Sequence, residues 1–263
     1  MRIVLRLEDI RLSFTDIHNE TLDLFRGVNL DVELGKITAL VGGNGTGKTT
    51  LFNVISGFQK DYLGSIFFEG SEISHFASYQ VSRRGIGRLF QNGQLLPGLT
   101  LMENMKIASS KRMGESPFSL LTHPLANKAV ESERELQAKD ILTMLFGADN
   151  KYLGMQNVEV STFSYGEQRL LSMACLLMGD YRLLLLDEPT SGVNPVYINT
   201  IEQIIRRMVA EKHVTVLLIE HNMHFVRRIA DTCAYLDDGK IAMYGPTAEV
   251  LDDKNVRNSY LGL

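Results

Sequence analysis

Short apolar segments alternate with segments of helical periodicity along most of the chain. Period-two alternation at 3–7 and 28–32 predicts two half-exposed strands, which we expect to pair antiparallel at the edge of the fold. Further strand-like runs lie at 36–41, 65–69, 86–91, 183–187, 214–219, 232–236 and 241–244, with helical patterns at 48–56, 195–211 and 222–229. This alternation is typical of an α/β fold built on a mostly parallel sheet.

Helical patterning also covers most of the middle of the chain. Between residues 101 and 145 it is interrupted only by glycine and proline, at 114–117 and 123–124. We interpret about 110–130 as a surface excursion from this helical stretch. The last residues, 256–263, predict a short terminal helix.

Composition restricts the class of protein. The chain has 263 residues, 44% of them hydrophobic and 22% charged, which is typical of a folded globular protein and excludes disorder as the main state. Its net charge of −4 and the absence of a Lys/Arg run argue against nucleic acid as the main ligand. No stretch approaches the roughly 20 apolar residues that span a bilayer, so we expect any membrane role to be exerted from the water side.

Cysteine usage points to a reducing compartment. With only two cysteines the chain can form neither a disulfide framework nor a four-cysteine zinc site. Cys175 lies in the apolar run 170–178, where we predict it to be a buried small side chain. This usage suits the cytosol.

A glycine-rich loop gives the strongest chemical signal. Residues 42–49 read G-G-N-G-T-G-K-T, a complete G-x-x-x-x-G-K-T motif between a predicted strand and a predicted helix. Its glycines allow backbone N–H groups to surround a phosphate at a helix N-terminus. Lys48 would then contact the β/γ-phosphates and Thr49 would supply a hydroxyl to Mg²⁺.

Two carboxylates end the apolar run 183–186. Asp187 and Glu188 stand where the parallel strands of α/β proteins present ligand-binding groups. Asp187 would hold Mg²⁺ through water, and Glu188 would act as general base on the attacking water. The segment after Asp187 reads E-P-T, so the D-x-x-G of GTPases is absent, and a small-molecule kinase needs no base here. The pair therefore favours ATP hydrolysis.

A third motif precedes a long apolar helical pattern. Residues 164–168 read S-Y-G-E-Q, in which Ser164 is a good helix cap and Gly166 permits close backbone approach. A helix N-terminus that presents a hydroxyl and N–H groups can bind an anion. Capping alone would also explain Ser164, so both interpretations remain open at this point.

Together these motifs resemble those of the ATP-binding subunits of ABC transporters, and the resemblance covers essentially the whole chain. Residues 42–49 match Walker A and 183–188 match Walker B. Residues 164–168 look like the signature usually written L-S-G-G-Q, with Phe163 in place of its leucine and Tyr165 in place of its first glycine.

Smaller elements of the chain fit the same family. Gln91 matches the Q-loop glutamine, His221 the switch histidine, and Phe14 the aromatic residue that stacks on adenine. Residues 191–194 take the place of the D-loop, with Asn194 where aspartate is commoner.

The resemblance implies a particular fold and layout. The fold would be that of a P-loop NTPase, with a RecA-like, mostly parallel sheet core, an antiparallel β edge lobe and a helical lobe. A single nucleotide-binding domain would cover residues 1–263, with its helical signature lobe at about 92–180 and a helical tail at about 246–263.

The resemblance also implies ATP and Mg²⁺ as cofactors. In this family two subunits enclose two ATP molecules, and each Walker A faces the partner's signature, which would explain a second anion site. The implied site residues are, for the nucleotide, Phe14, Gly42, Gly43, Asn44, Gly45, Thr46, Gly47, Lys48, Thr49, Thr50, Ser164, Tyr165, Gly166, Glu167 and Gln168; for the metal, Thr49, Gln91 and Asp187; and for catalysis, Glu188, His221 and Gln91.

Within the family the chain looks like the importers of branched-chain and other hydrophobic amino acids. The segment 99–104, the turn 192–195 and the sequence E-H-N-M at 220–223 carry this likeness. The implied partners are membrane permeases, a second ATPase subunit and, indirectly, a solute-binding protein, at the cytoplasmic face of the cell membrane. Urea or amide importers, lipopolysaccharide or lipid exporters and soluble ABC ATPases are the alternatives.

Two further features carry weaker signals. His221 and His224 share a helix face, but no further ligand for zinc is identifiable, and we interpret His224 as a surface or packing residue. Apolar residues after Gln91 would form a groove for a helix of a membrane partner, or part of the core, with Leu101 and Met105 expected in the core. This set comprises Leu95, Leu96, Leu99, Leu101, Met102 and Met105.

Overall fold

The computed structural model describes residues 2–15, 21–91, 95–109 and 124–261. The strands in this part of the chain are β1 (Ile3–Thr15), β2 (Thr21–Glu33), β3 (Ile37–Val41), β4 (Leu63–Phe68), β5 (Ser71–Glu72), β6 (Ile86–Leu89), β7 (Leu183–Asp187), β8 (Thr215–Ile219), β9 (Thr232–Asp237) and β10 (Lys240–Pro246). The helices are α1 (Lys48–Ile55), α2 (Ser78–Arg84), α3 (Leu101–Ala108), α4 (Pro124–Phe146), α5 (Lys151–Gly154), α6 (Tyr165–Leu176), α7 (Pro195–Lys212), α8 (Met223–Ile229), α9 (Thr247–Asp252) and α10 (Lys254–Leu261).

The described residues divide into two compact units. The first comprises the described residues within 1–88, 181–190 and 209–263, and the second those within 89–180 and 191–208. The first contains both sheets apart from the last residue of β6, whereas the second is mainly helical. The described residues of the predicted helical lobe, at about 92–180, belong to the second unit.

A six-stranded sheet forms the centre of the first unit. Its strand order is β10-β9-β3-β8-β7-β6, and the pairs β3–β8, β3–β9 and β7–β8 are parallel. Strands β3, β7 and β8 are buried along their whole length, as expected of parallel strands covered on both faces. The parallel register brings the C-terminal ends of β3, β7 and β8 to one edge of the sheet. The predicted mostly parallel core is confirmed.

A second, antiparallel sheet has the order β2-β1-β4-β5. Strand β1 pairs antiparallel with β2, with Leu7 opposite Leu30, and with β4, with Leu7 opposite Ile66. The alternating pattern of the sequence turns Leu5 and Leu7 inward, whereas Arg6 stays exposed. The predicted antiparallel edge lobe is therefore confirmed.

The core of the first unit joins the two sheets. Phe25 of β2, Phe52 of α1 and Leu217 of β8 belong to one buried cluster, and each is at most 1% exposed. Cys233 is also buried in this unit, and burial raises the pKa of its thiol to about 12. The thiol is therefore a small core group here, without thiolate chemistry at neutral pH.

Helix packing forms the core of the second unit. Helix α3 begins with a capping box, in which Thr100 and Glu103 bond to each other's backbone N–H groups, and it packs on α4 and α6. Leu101 and Met105 are fully buried, as predicted, whereas Leu96 is 47% exposed. Cys175 is buried too, as predicted, and burial raises the pKa of its thiol to about 12.

Several elements differ from the sequence prediction. The strand predicted at 86–91 ends at Leu89, because Arg169 takes the carbonyl oxygens of Phe90 and Gln91 at 2.6 and 3.2 Å instead of a neighbouring strand. Helix α2 has no counterpart in the prediction. Of the excursion at about 110–130, residues 110–123 lie outside the described part of the chain, and 124–130 already belong to α4.

Burial in the central sheet gives a direct stability prediction. Leu217→Ala should lower the free energy of unfolding by about 2–5 kcal/mol, because it leaves a cavity among side chains that cannot collapse into it. Leu136→Ala is the matched control, since Leu136 on α4 is 62% exposed and alanine is a good helix former. Urea unfolding measures both. Equal losses in the two variants would contradict the proposed core.

Candidate active site

The loop 42–49 connects β3 to α1 as the sequence predicts. Val41 ends the strand, and Lys48 begins the helix. A Cβ on Gly42 would lie 2.4 Å from the carbonyl oxygen of Leu236, and Gly47 has a φ of 93°. A side chain at position 42 would collide with this oxygen, and the left-handed backbone at position 47 favours glycine. The loop ends at the N-terminus of α1, which favours anions.

Lys48 is held inside this loop. Its ammonium donates to the carbonyl oxygens of Gly42 and Gly43 at 2.9 and 2.8 Å, and the residue is only 6% exposed. Burial lowers the pKa of Lys48, while the negative charges of Glu188 and Asp187 act in the opposite direction. The chain thus places one cation where a phosphate would approach the loop.

Asp187 ends β7 and is 2% exposed. The hydroxyl of Thr49 donates to its Oδ1 at 3.4 Å, and Nη2 of Arg88 donates to its Oδ2 at 3.1 Å. Burial raises the pKa of Asp187, whereas the bond and charge of Arg88 lower it. The predicted metal residues Thr49 and Asp187 therefore lie together.

Glu188 and His221 form a second polar pair in the first unit. His221 Nε2 lies 3.1 Å from Glu188 Oε1. Glu188 has a φ of 46°, a left-handed conformation that non-glycine residues rarely adopt, and its N–H donates to the carbonyl of Ile219 at 3.0 Å. Rare backbone conformations of this kind are typical of functional positions.

A buried carboxylate, Glu220, joins the segments on either side of this pair. Its Oε1 accepts from the N–H and the hydroxyl of Thr190 at 2.8 and 2.7 Å. Its Oε2 accepts from the N–H groups of His221 and Asn222 at 3.2 and 3.4 Å. The sequence motifs predict no role for Glu220 or Arg88. An acidic residue directly after an apolar strand was a signal for the first, and a charge within the apolar run 86–90 was a signal for the second.

The signature segment lies in the second unit, at the start of α6. Ser164 caps the helix: its hydroxyl donates to Glu167 Oε2 at 2.8 Å and accepts from the Glu167 N–H at 3.4 Å. Lys151 pairs with the same carboxylate, and that bond and those of Ser164 lower the pKa of Glu167. Gln168 donates to the carbonyl of Phe163 at 2.8 Å.

Gly166 is enclosed by its neighbours on α7. A Cβ there would lie 2.6 Å from the ring of Tyr197. The group that approaches Gly166 closely is therefore an aromatic ring. Tyr165 is 50% exposed, and its ring lies beside Gly192 in the predicted D-loop segment. In that segment Asn194 accepts from the N–H of Val196 at 3.1 Å.

Phe14, Gln91 and His224 differ in their exposure and contacts. Phe14 lies near the end of β1, opposite Leu22, and is 45% exposed, so its ring is accessible to a base. Gln91 lies in the second unit, where its carbonyl accepts from Arg169. His224 is exposed on α8. In the described residues no group of three or more His, Cys, Asp and Glu side chains could hold a metal ion.

The glycine loop after β3, the buried Asp187 at the end of β7 and the two sheets define a P-loop ATPase of the ABC type. The ABC transporter family profile matches residues 25–191, and the chain belongs to this family. No helix in the described ranges is long and apolar enough to cross a membrane.

Similar proteins are found among transporter subunits. The high-affinity branched-chain amino acid transport ATP-binding protein BraF of Pseudomonas aeruginosa is 33% identical over 236 residues, which cover 90% of this chain and 91% of that protein. The probable branched-chain amino acid transport ATP-binding protein LivG of Archaeoglobus fulgidus is 34% identical over 237 residues, 89% and 88% of the two chains. The structure of an ATP-binding cassette of an ABC transporter in its ADP conformation superimposes with a TM-score of 0.81 at 30% identity, over 100% of both chains.

The contacts of Glu220 lead to a prediction. In Glu220→Gln the amide NH₂ would face at least one N–H donor in either orientation, so we expect a loss of about 1–3 kcal/mol in the free energy of unfolding. Glu211→Gln, at an exposed position near the end of α7, is the control. Thermal unfolding of both variants measures the difference. Similar stability of the two would show that the buried carboxylate is unnecessary.

Proposed function

We propose that this ATPase hydrolyses MgATP at the site formed by the loop 42–49, Asp187, Glu188 and His221. The observation that carries the proposal is the arrangement of one cation, one buried carboxylate and one carboxylate–imidazole pair in the first unit. Each has a distinct task in phosphoryl transfer to water.

Lys48 and the loop would bind the phosphates. The ammonium lies against two loop carbonyls, so it needs only to exchange those acceptors for phosphate oxygens. The N–H groups at the start of α1 add positive potential from the helix. Phe14, with its exposed ring, would stack on the adenine.

Thr49 and Asp187 fit a magnesium ion. A hydroxyl and a carboxylate are hard oxygen ligands, and Mg²⁺ in such sites keeps several waters and phosphate ligands. When bound, the ion neutralises charge that develops on the phosphates. Thr49 and Asp187 would position it.

Glu188 would activate the attacking water. Its carboxylate lies 3.1 Å from Nε2 of His221, so the imidazole can hold its orientation while the carboxylate accepts a proton from water. His221 would orient this carboxylate and stabilise charge in the transition state.

Two copies of such a site would form between two ATPase subunits. Ser164, Gly166 and the N-terminus of α6 would contact the γ-phosphate of a nucleotide held by the partner's loop. Support comes from the family to which the chain belongs and from the signature at the start of a capped helix. The partner is a second copy or a related subunit.

The transported solute is proposed from relatives. Both BraF and LivG are named as branched-chain amino acid transport proteins and align over about nine-tenths of the chain. We therefore propose import of branched-chain or other hydrophobic amino acids, driven from the cytoplasmic face through membrane permeases and fed by a solute-binding protein. Urea or amide import, lipid export and soluble ABC ATPases remain the competing functions.

The catalytic assignment predicts a separation of binding from turnover. Glu188→Gln should retain ATP binding and reduce ATP turnover by roughly 10² or more, because an amide cannot accept the proton of water. Equilibrium binding of a fluorescent ATP analogue and phosphate release measure the two properties.

Lys48→Ala should instead weaken ATP binding. Its ATP affinity should be reduced on the order of tenfold or more through loss of a charge-assisted bond, which the same binding measurement detects.

Matched surface variants serve as controls. Glu249 and Lys240 are both exposed, so Glu249→Gln and Lys240→Ala should leave binding and turnover unchanged. Turnover of Glu188→Gln within about twofold of the unmodified protein would remove Glu188 from the role of general base.

The transport assignment predicts specific partners. Because Glu188→Gln should hold the ATP-bound dimer together, purification of this variant from native membranes with MgATP should recover two permeases and an ATPase pair. A co-purified solute-binding protein should bind leucine, isoleucine or valine in calorimetric titration. Recovery of lipid-export components, or of soluble partners alone, would overturn import while leaving the ATPase chemistry intact.

A further inference from the structure

Arg88 is a buried cation with no role in the mechanism above. Its side chain is 5% exposed, and that of its partner Asp187 is 2% exposed. A buried ion pair costs desolvation free energy, which good geometry and further hydrogen bonds offset. Burial lowers the pKa of Arg88, and the pairing with Asp187 opposes that shift. Arginine stays protonated in proteins, so Arg88 keeps its positive charge.

The last turn of α1 fixes the guanidinium from the other side. Nη1 of Arg88 donates to Asn53 Oδ1 and to Ser56 Oγ, both at 2.8 Å. The rings of Phe52 and Phe58 lie 5.7 and 6.0 Å from its central carbon. The C-terminus of a helix also favours a positive charge. The arginine is thus held by one end of α1, whereas the other end of that helix carries Lys48 and Thr49.

The two carboxylate oxygens of Asp187 contact different residues. Oδ2 is occupied by Arg88 at 3.1 Å, and Oδ1 faces the hydroxyl of Thr49 at 3.4 Å. Without the bond to Oδ2, the carboxylate could rotate about its terminal torsion, which is broad in aspartate. Ligating carboxylates in metal sites are generally oriented by such outer hydrogen bonds.

We propose that Arg88 is a positioning residue for the metal: it locks Asp187 so that Oδ1, beside Thr49, is presented to the Mg²⁺ of the nucleotide complex. The inference rests on the proposed function, since it presumes that Thr49 and Asp187 hold this ion. Lysine cannot replace arginine here, because a compact ammonium cannot bridge Asn53, Ser56 and Asp187 as the planar fork does.

The test measures how much Mg²⁺ strengthens nucleotide binding. Binding of the non-hydrolysable analogue AMP-PNP is titrated calorimetrically with Mg²⁺ and with EDTA. In Arg88→Lys the gain in affinity on adding Mg²⁺ should fall by about tenfold or more, or disappear if the unmodified gain is smaller. Affinity in EDTA should remain within about threefold, since Lys48 and the loop are unchanged.

Two variants make the result specific. Arg6→Lys is the matched control, because Arg6 pairs with Asp31 through two hydrogen bonds, at 2.8 and 3.0 Å, at an exposed position. Its Mg²⁺ gain should equal that of the unmodified protein. Ser56→Ala removes an acceptor of Arg88 without touching the ion pair, so it should reduce the gain in the same direction, and it decides the question if Arg88→Lys does not fold.

Three outcomes would contradict the proposals, and they are distinguishable. An unchanged Mg²⁺ gain in Arg88→Lys or, if that variant does not fold, in Ser56→Ala would overturn the positioning role. An equal loss with Mg²⁺ and with EDTA would also overturn it, because general structural damage produces that result. Absence of any Mg²⁺ gain in the unmodified protein would instead refute the metal site in the proposed function.

Discussion

The negative charge of Asp187, carried into the protein interior at the end of β7, is the constraint on which the first unit depends. An unpaired carboxylate at 2% exposure would cost several kcal/mol, so the fold has to surround it with donors. Those donors, Thr49 and Arg88, approach from α1 and β6. Since α1 also begins with Lys48 and ends with the anchors of Arg88, one helix fixes both the phosphate loop and the orientation of the carboxylate.

The parallel register places the other residues of the proposed site, Glu188 and His221, at the same edge of the sheet. Asp187 of β7 lies opposite Ile219 of β8. The backbone N–H of the next residue, Glu188, donates to the carbonyl of Ile219. Glu188 and His221 therefore leave adjacent strands at the same level, and their side chains meet at 3.1 Å. Glu220, one residue after β8, bonds both to Thr190 and to the backbone of His221. The position of the imidazole is thus set by sheet register and one buried carboxylate.

Much of the candidate site could be predicted from the sequence, because the patterns that indicate it involve residues close together in the chain. The strand–loop–helix order around 42–49, the carboxylates after an apolar run and the cap at Ser164 depend only on neighbouring residues. The ion pair of Arg88 with Asp187 joins residues 99 positions apart, and sequence periodicity does not identify such a partner. The early end of β6 also depends on a residue far away in the sequence. Arg169 donates to the carbonyl oxygens of Phe90 and Gln91, and the sequence pattern at 86–91 does not reveal this contact.

The two interpretations of Ser164 differ in what each requires of the chain. As a cap it is satisfied within the second unit, where the hydroxyl and the N–H of Ser164 both bond to Glu167. As a phosphate ligand it must direct the hydroxyl away from that carboxylate, whose charge Lys151 already balances. A single unbranched side chain with three staggered rotamers can make this change at small cost. The capped helix is therefore compatible with a phosphate site, and in the proposed dimer the free energy of that exchange would come from the nucleotide of the partner subunit.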